Sequence, residues 1–199
     1  MRKGDGHIVE EQLPTQTPSA ESPASDTRRE IYEWLQCIVI ALVACVLIFV
    51  FVARIIDVKG VSMMQTLQDG DKVIITRLAG DYEYGDIVVL RAEGLRSEPI
   101  IKRVIATEGQ TVDIDFAAGI VYVDGVALQE DYVNELTYTR EDFSEPVTVP
   151  EGCIFVMGDN RNNSTDSRSD MVGCVDKRSV LGKAVFRLLP FRSIGSLVF

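Results

Sequence analysis

Residues 37–53 form an unbroken apolar run, bounded by Trp34-Leu35-Gln36 before it and Arg54 after it. As a helix, about 20 such residues reach across roughly 30 Å, the thickness of a bilayer's hydrocarbon core. A run this long and free of charge predicts one transmembrane helix. The gain from its Leu, Ile, Val and Phe side chains, about 0.3 to 0.6 kcal/mol each on an insertion scale, outweighs a single Gln36 near one end. A cleavable signal peptide fits less well, because the run is longer than an ordinary h-region, follows a long polar tail and lacks a small-x-small site after it. Arg28 and Arg29 precede the run while Arg54 and Lys59 follow it, so charge alone leaves the orientation open.

The stretch before the anchor, residues 1–30, is rich in Pro, Ser, Thr and Glu and offers little apolar surface to offset the entropy of ordering. The sequence predicts a disordered tail at 1–30, an anchor helix at 31–56 and a folded domain at 57–199. In that last region short β-type runs alternate with turn residues: 72–76, 86–90, 100–106, 111–116, 120–123, 153–157 and 182–188. Val112, Ile114 and Phe116 alternate with polar residues, and Asp124-Gly125 is a two-residue hairpin turn. The expected fold is mainly β, an antiparallel sheet domain preceded by a single transmembrane helix. The polar, acidic stretch 129–145 reads as a surface excursion carrying little chemistry.

Several functions are excluded or disfavoured by composition. The 199 residues carry a formal charge of −10, the wrong sign for a sequence-independent grip on nucleic acid. Cys37, Cys45, Cys153 and Cys174 form no pair or cluster with metal-ligand spacing, so no metal is expected. Cys153 and Cys174 are either a disulfide or two buried thiols; spacing does not choose.

The single histidine, His7, lies in the tail, on the far side of the anchor from the β region. A serine nucleophile there needs another base. Lysine serves when burial lowers its pKa from about 10.4 toward 7 or 8. Lys102 sits in Pro99-Ile100-Ile101-Lys102-Arg103-Val104-Ile105-Ala106, a strand of β-branched neighbours. A strand lysine more often faces solvent, so two further segments matter. Gly60-Val61-Ser62-Met63-Met64-Gln65-Thr66-Leu67 follows the anchor by a few residues, and residues 158–168, opening Gly158-Asp159-Asn160-Arg161, are dense in hydrogen-bonding groups after an apolar strand.

Together these segments resemble the type I signal peptidases, membrane-anchored peptidases with a Ser/Lys pair, in the single-span form of Gram-positive bacteria. Ser62-Met63-Met64-Gln65-Thr66-Leu67 is similar to the family's nucleophile box, with Gln65 where proline is usual; Tyr84-Gly85-Asp86-Ile87-Val88-Val89 and Lys102-Arg103-Val104-Ile105-Ala106 resemble its next two. The resemblance makes Ser62 the nucleophile and Lys102 its base. It assigns Ser164 to orienting the lysine, and Asp166 with Arg168 to the framework, supported by Asp159 and Arg161. Gly60 stands where some members place a serine donor, so the oxyanion falls to backbone N–H groups, chiefly that of Ser62.

The implied activity is endopeptidase cleavage of signal peptides from exported preproteins after small residues, at Ala-x-Ala-type sites, without a cofactor. The substrate would add as a strand beside Asp57, Val58, Lys59, Gly60, Ile100 and Ile101. The resemblance also implies a cell-membrane location, a cytoplasmic N-terminus, an extracytoplasmic β domain, and preproteins and membrane lipid as partners, with no nucleic acid; the oligomeric state is left open. A self-cleaving repressor-type Ser/Lys protease is the soluble rival, disfavoured by the membrane span. A pseudo-enzyme that only binds signal peptides is the non-catalytic one.

Overall fold

The protein is described from a computed structural model, which covers residues 23–51, 53–78, 80–91 and 98–197. The expected disorder of residues 1–22 lies outside this range.

Helix α1 spans Pro23–Phe51. It begins earlier than the expected residue 31, and the polar residues 23–30 are helical rather than disordered. Proline suits the first position of a helix, where its missing N–H costs nothing. One turn further on, Arg29 Nε meets Glu33 Oε1 at 3.2 Å across an i, i+4 pair. The segment Thr27–Leu47 has a mean hydropathy of 1.9 and, among the described residues, is the one helix long and apolar enough to cross a membrane.

The helix ends at Phe51, not at 56, because Ala53–Asp57 is a strand, β1, whose residues pair with β2 (Lys72–Thr76). The β-branched Ile55 and Ile56 favour that extended backbone. The next strands are β3 (Ile87–Leu90), β4 (Ile100–Thr107), β5 (Thr111–Asp115), β6 (Ile120–Val123), β7 (Val126–Ala127) and β8 (Val147–Thr148). Then come β9 (Cys153–Met157), β10 (Val175–Asp176), β11 (Val180–Leu189) and β12 (Gly195–Ser196). Every pairing is antiparallel. All seven expected strands form, and the sequence missed β1 and the two-residue strands β8, β10 and β12. Pieces that short carry no periodicity to read.

The larger sheet runs β1-β2-β11-β3-β4-β9-β10, with β12 beside β11; the smaller runs β7-β6-β5-β8. Asp124 and Gly125 both take positive φ, 52° and 77°, which is what a tight β6-β7 hairpin demands. Ile105, Ala106, Phe155 and Met157 of the large sheet share a core with Val112, Ile114, Val121 and Val123 of the small one, closed by Phe143 and Val149. Cys153 and Cys174 are free thiols packed on the edge of this cluster. Burial, with a smaller contribution from the neighbouring Cys153, pushes the Cys174 thiol up to about 11.

A separate cluster positions the functional segment. Between β1 and β2 the chain makes an excursion whose Val58, Met63 and Leu67 are buried against Val73, Ile75, Ile87, Val89 and Ile101. Its neck is closed by Val58 N–H to Asp71 O at 2.8 Å and Gly70 N–H to Val58 O at 2.9 Å. Apolar residues therefore fix the loop on both sides of Ser62, and the serine stays partly exposed between them.

Candidate active site

Strand β4 is paired along both edges only in part. Ile100, Ile101 and Lys102 face β3 through Leu90, Val89 and Val88, whereas β9 begins pairing at Arg103. The first residues of β4 thus present an open edge, and the excursion after β1 lies across it. A cleft of about 400 Å³ results, lined by Val58, Lys59, Gly60, Ser62, Ile100, Ile101 and Lys102 on these two sides. Asn162, Asn163, Ser164 and Thr165 supply another wall, together with Glu141.

In this cleft the Lys102 ammonium donates to Ser62 Oγ at 2.7 Å. Lys102 is only 3% exposed, and its place in a strand of Ile and Val neighbours explains why. Burial pulls its pKa down to about 8, against the opposing pull of Asp166 and Glu141. A lysine so placed is a base with a neutral fraction at mildly alkaline pH, within reach of one hydroxyl.

Residues 158–168 hold the Ser62 backbone from behind. Asn160 N–H donates to Ser62 O at 3.0 Å, and its side-chain Nδ2 donates to Val61 O at 3.1 Å. Gly158 is required by contact: a Cβ there would lie 2.5 Å from Ser62 O and 2.2 Å from Ser164 Oγ. Gly60 takes φ +88° with open space around the missing Cβ, and its N–H donates to Asp69 Oδ1 at 2.7 Å. Among the described residues the Ser62 N–H donates to no acceptor.

Two buried ion pairs lie under this surface. Asp166 accepts from Arg168 Nε at 2.8 Å and Nη2 at 2.9 Å, from Gly158 N–H at 2.9 Å and from Ser164 Oγ at 2.8 Å. Burial opposes its charge, but the Arg168 guanidinium holds the Asp166 carboxyl below the usual range. Asp159 accepts two hydrogen bonds from Arg103, at 2.8 and 2.7 Å, and one from Thr66 Oγ1 at 2.5 Å. A single carboxylate thereby ties the residue after Lys102 to the loop that carries Ser62.

The sequence-predicted residues do not all meet. Ser62, Lys102, Ser164, Val58, Lys59, Gly60, Ile100 and Ile101 line the cleft. Asp166, Arg168 and Asp159 are fully or almost fully buried beneath it. Ser164 turns its hydroxyl to Asp166 rather than to Lys102. Asp57 is not part of the cleft lining; its carboxylate meets Lys72 across the β1-β2 pair, which turns it away from the excursion.

Arg161 reaches away from Ser62, to Glu130 at 2.6 and 2.5 Å and to Thr137 at 3.0 Å. Residues 129–145 thus pack against the segment around the site. Tyr132 lies with its ring 3.9 Å from the Arg103 guanidinium, Gln65 Nε2 donates to Asn134 at 2.7 Å, and Glu141 enters the cleft. Gly158 and Asn160 belong to the polar segment that the sequence singled out, but no role falls to them there, since nothing local marks a backbone that another segment will lean on.

Residues 31–189 match the family described as signal peptidase, peptidase S26. The chain is 35% identical over 185 residues to the signal peptidase I of Bacillus licheniformis, covering 87% of this chain and 97% of that protein. It is 37% identical over 187 residues to a probable signal peptidase I-1 of Synechocystis sp., covering 88% and 91% respectively. Among crystal structures it is similar to a signal peptidase I from Enterococcus faecalis, at 30% identity and a TM-score of 0.42, over 52% of this chain and 97% of that one.

Proposed function

This chain belongs to the signal peptidase family, peptidase S26, and from that premise we propose that it cleaves signal peptides with Ser62 as nucleophile and Lys102 as general base. It is a serine endopeptidase with an N-terminal apolar helix, and its substrates are preproteins that bear signal peptides. The observation that carries the residue assignment is the 2.7 Å contact between a buried lysine and a serine hydroxyl at the floor of an open cleft.

Neutral Lys102 takes the Ser62 proton as Oγ attacks the scissile carbonyl, and the Lys102 ammonium then returns a proton to the leaving amine. The acyl group stays on Oγ until water, deprotonated by Lys102, releases the mature protein. The tetrahedral oxygen falls to the Ser62 N–H, which donates to no acceptor among the described residues. Gly60 leaves that side without a side-chain donor.

The open edge of β4 at Ile100 and Ile101, opposite Val58, Lys59 and Gly60, suits an added extended strand. Alternate side chains of such a strand would point into the cleft, which favours small residues at spaced positions, the Ala-x-Ala pattern. The helix tethers the site to the bilayer, raising the effective concentration of membrane-borne substrate. We place the N-terminus in the cytoplasm and the β domain outside.

The test is cleavage of a preprotein with an Ala-x-Ala site by the purified full chain in detergent. The wild type should cut there while folded Ser62→Ala and Lys102→Ala do not. If all three are inert, the chain only binds signal peptides; if Lys102→Ala cuts at the wild-type rate, the base is another group.

A further inference from the structure

When Lys102 takes the Ser62 proton, a cation appears on a side chain that is only 3% exposed, and a nearby anion lowers the cost. The charged groups that act on Lys102 are Asp166, Glu141, Arg168 and Asp159. Asp166 is already committed to Arg168, and Asp159 to Arg103. Asp166 pulls hardest on Lys102, but Arg168 offsets part of that pull, and the Asp159 charge is shared with Arg103.

Glu141 differs. It lines the same cleft as Ser62 and Lys102, yet its Oε2 is buried and, alone among the described residues' buried side-chain nitrogens and oxygens, has no hydrogen-bond partner. Its backbone sits at φ +52°, a left-handed conformation that side-chain-bearing residues adopt at a cost. The groups acting on it are Asp166, Arg168 and Asp142, and the Asp166 backbone N–H is directed at its carboxylate. Burial, and then the charge of Asp166, lift its pKa above the usual carboxyl range. A buried acceptor left open and a strained backbone at one residue both work against stability. Their coincidence in the cleft marks a residue kept for what it does there.

We propose that Glu141 is a positioning residue of the reaction, the carboxylate that stabilises the Lys102 ammonium formed as Ser62 is deprotonated. This rests on Lys102 being the base. Glu141 acts through Lys102, and it needs no contact with substrate. Its place in 129–145 also gives that segment a reason to pack on the catalytic strand.

The experiment is the pH dependence of preprotein cleavage by the full chain in detergent, comparing wild type, Glu141→Gln, Glu141→Asn and, as an exposed control in the same segment, Glu145→Gln. Removing the charge should move the acid limb of kcat/KM down by about half to one pH unit and lower the alkaline plateau roughly three- to tenfold. Glu145→Gln should leave both unchanged. A merely structural Glu141 would lower the rate at every pH without moving the limb, and an unmoved limb overturns the proposal. Asn tolerates the left-handed backbone, so Glu141→Asn should be at least as thermostable as the wild type. If both variants fail to fold, the carboxylate supports the fold rather than burdening it, and the proposal fails. Lys102→Ala cutting at the wild-type rate would instead sink the assignment of the base, whatever Glu141 does.

Discussion

A methyl group on Gly158 would stand 2.5 Å from the carbonyl oxygen of Ser62. The glycine and the serine are far apart in sequence, and the space between them is closed by backbone, which has no rotamer to yield. Gly158→Ala must therefore push the Ser62 loop outward and away from Lys102. Displacements of that size cost roughly a hundredfold where reacting atoms need alignment. The expected result is a kcat/KM loss of about that order in preprotein cleavage by folded protein, with a destabilisation of about 1 to 3 kcal/mol in denaturant unfolding.

Asn160 holds the same loop by two hydrogen bonds, of which only the one from Nδ2 to Val61 O at 3.1 Å depends on its side chain. Asn160→Ala should remove about 1 kcal/mol of restraint and lower kcat/KM roughly tenfold. Steady-state kinetics beside a melting curve separate this from unfolding: a fall in melting temperature large enough to depopulate the fold at the assay temperature would count against a positioning role.

The low pKa of Lys102 has a sign that can be followed in stability. Its folded value, about 8, lies below its ordinary value of 10.5. Below pH 8 the lysine is charged in both folded and unfolded chains, and the folded state bears a net cost of about 3 kcal/mol, burial less the attraction of the nearby carboxylates. That cost is relieved as pH rises from 8 to 10.5. Lys102→Met should thus be inactive yet more stable than the wild type at pH 7, with the difference shrinking toward pH 10. Denaturant titrations at the two pH values check it, and equal differences at both would refute the buried, shifted lysine. Cleavage by the wild type should rise with pH through about 8.

Arg103 and Asp159 are an ion pair whose two side chains are both wholly buried. Asp159→Ala removes the carboxylate paired with the buried Arg103 guanidinium and frees Thr66, so it should destabilise by about 3 to 5 kcal/mol. Chemical denaturation of the full chain in detergent measures this. A change under 1 kcal/mol would mean that water reaches the site.

Much of the architecture could be read locally. The apolar run of 37–53, the alternation at 111–116 and the Asp124-Gly125 turn each declare their element by period or by required φ. Ser62 and Lys102 stood out only when three segments were read together and resembled one family, since a strand lysine or a serine after glycine is by itself ordinary. Locally, residues 23–30 read as too polar to fold, but they continue a helix through an exposed ion pair and a tolerant N-terminal proline.

The partners of several supporting residues were not legible in the sequence. Asp57 is drawn to Lys72, Arg161 to Glu130, and Ser164 to Asp166 rather than to the lysine. Glu141 reads as one more charge in an acidic stretch until folding brings it into the cleft that Lys102 also lines. Period and propensity act over one or two turns of chain, so the sequence by itself determined the long apolar helix and most of the strands, while the family resemblance singled out Ser62 and Lys102. Only the tertiary structure decided which carboxylate is neutralised by which arginine, which glycine has no room for a methyl group and which acid is left unpaired. Those outcomes follow from burial and long-range contact, which no local window contains.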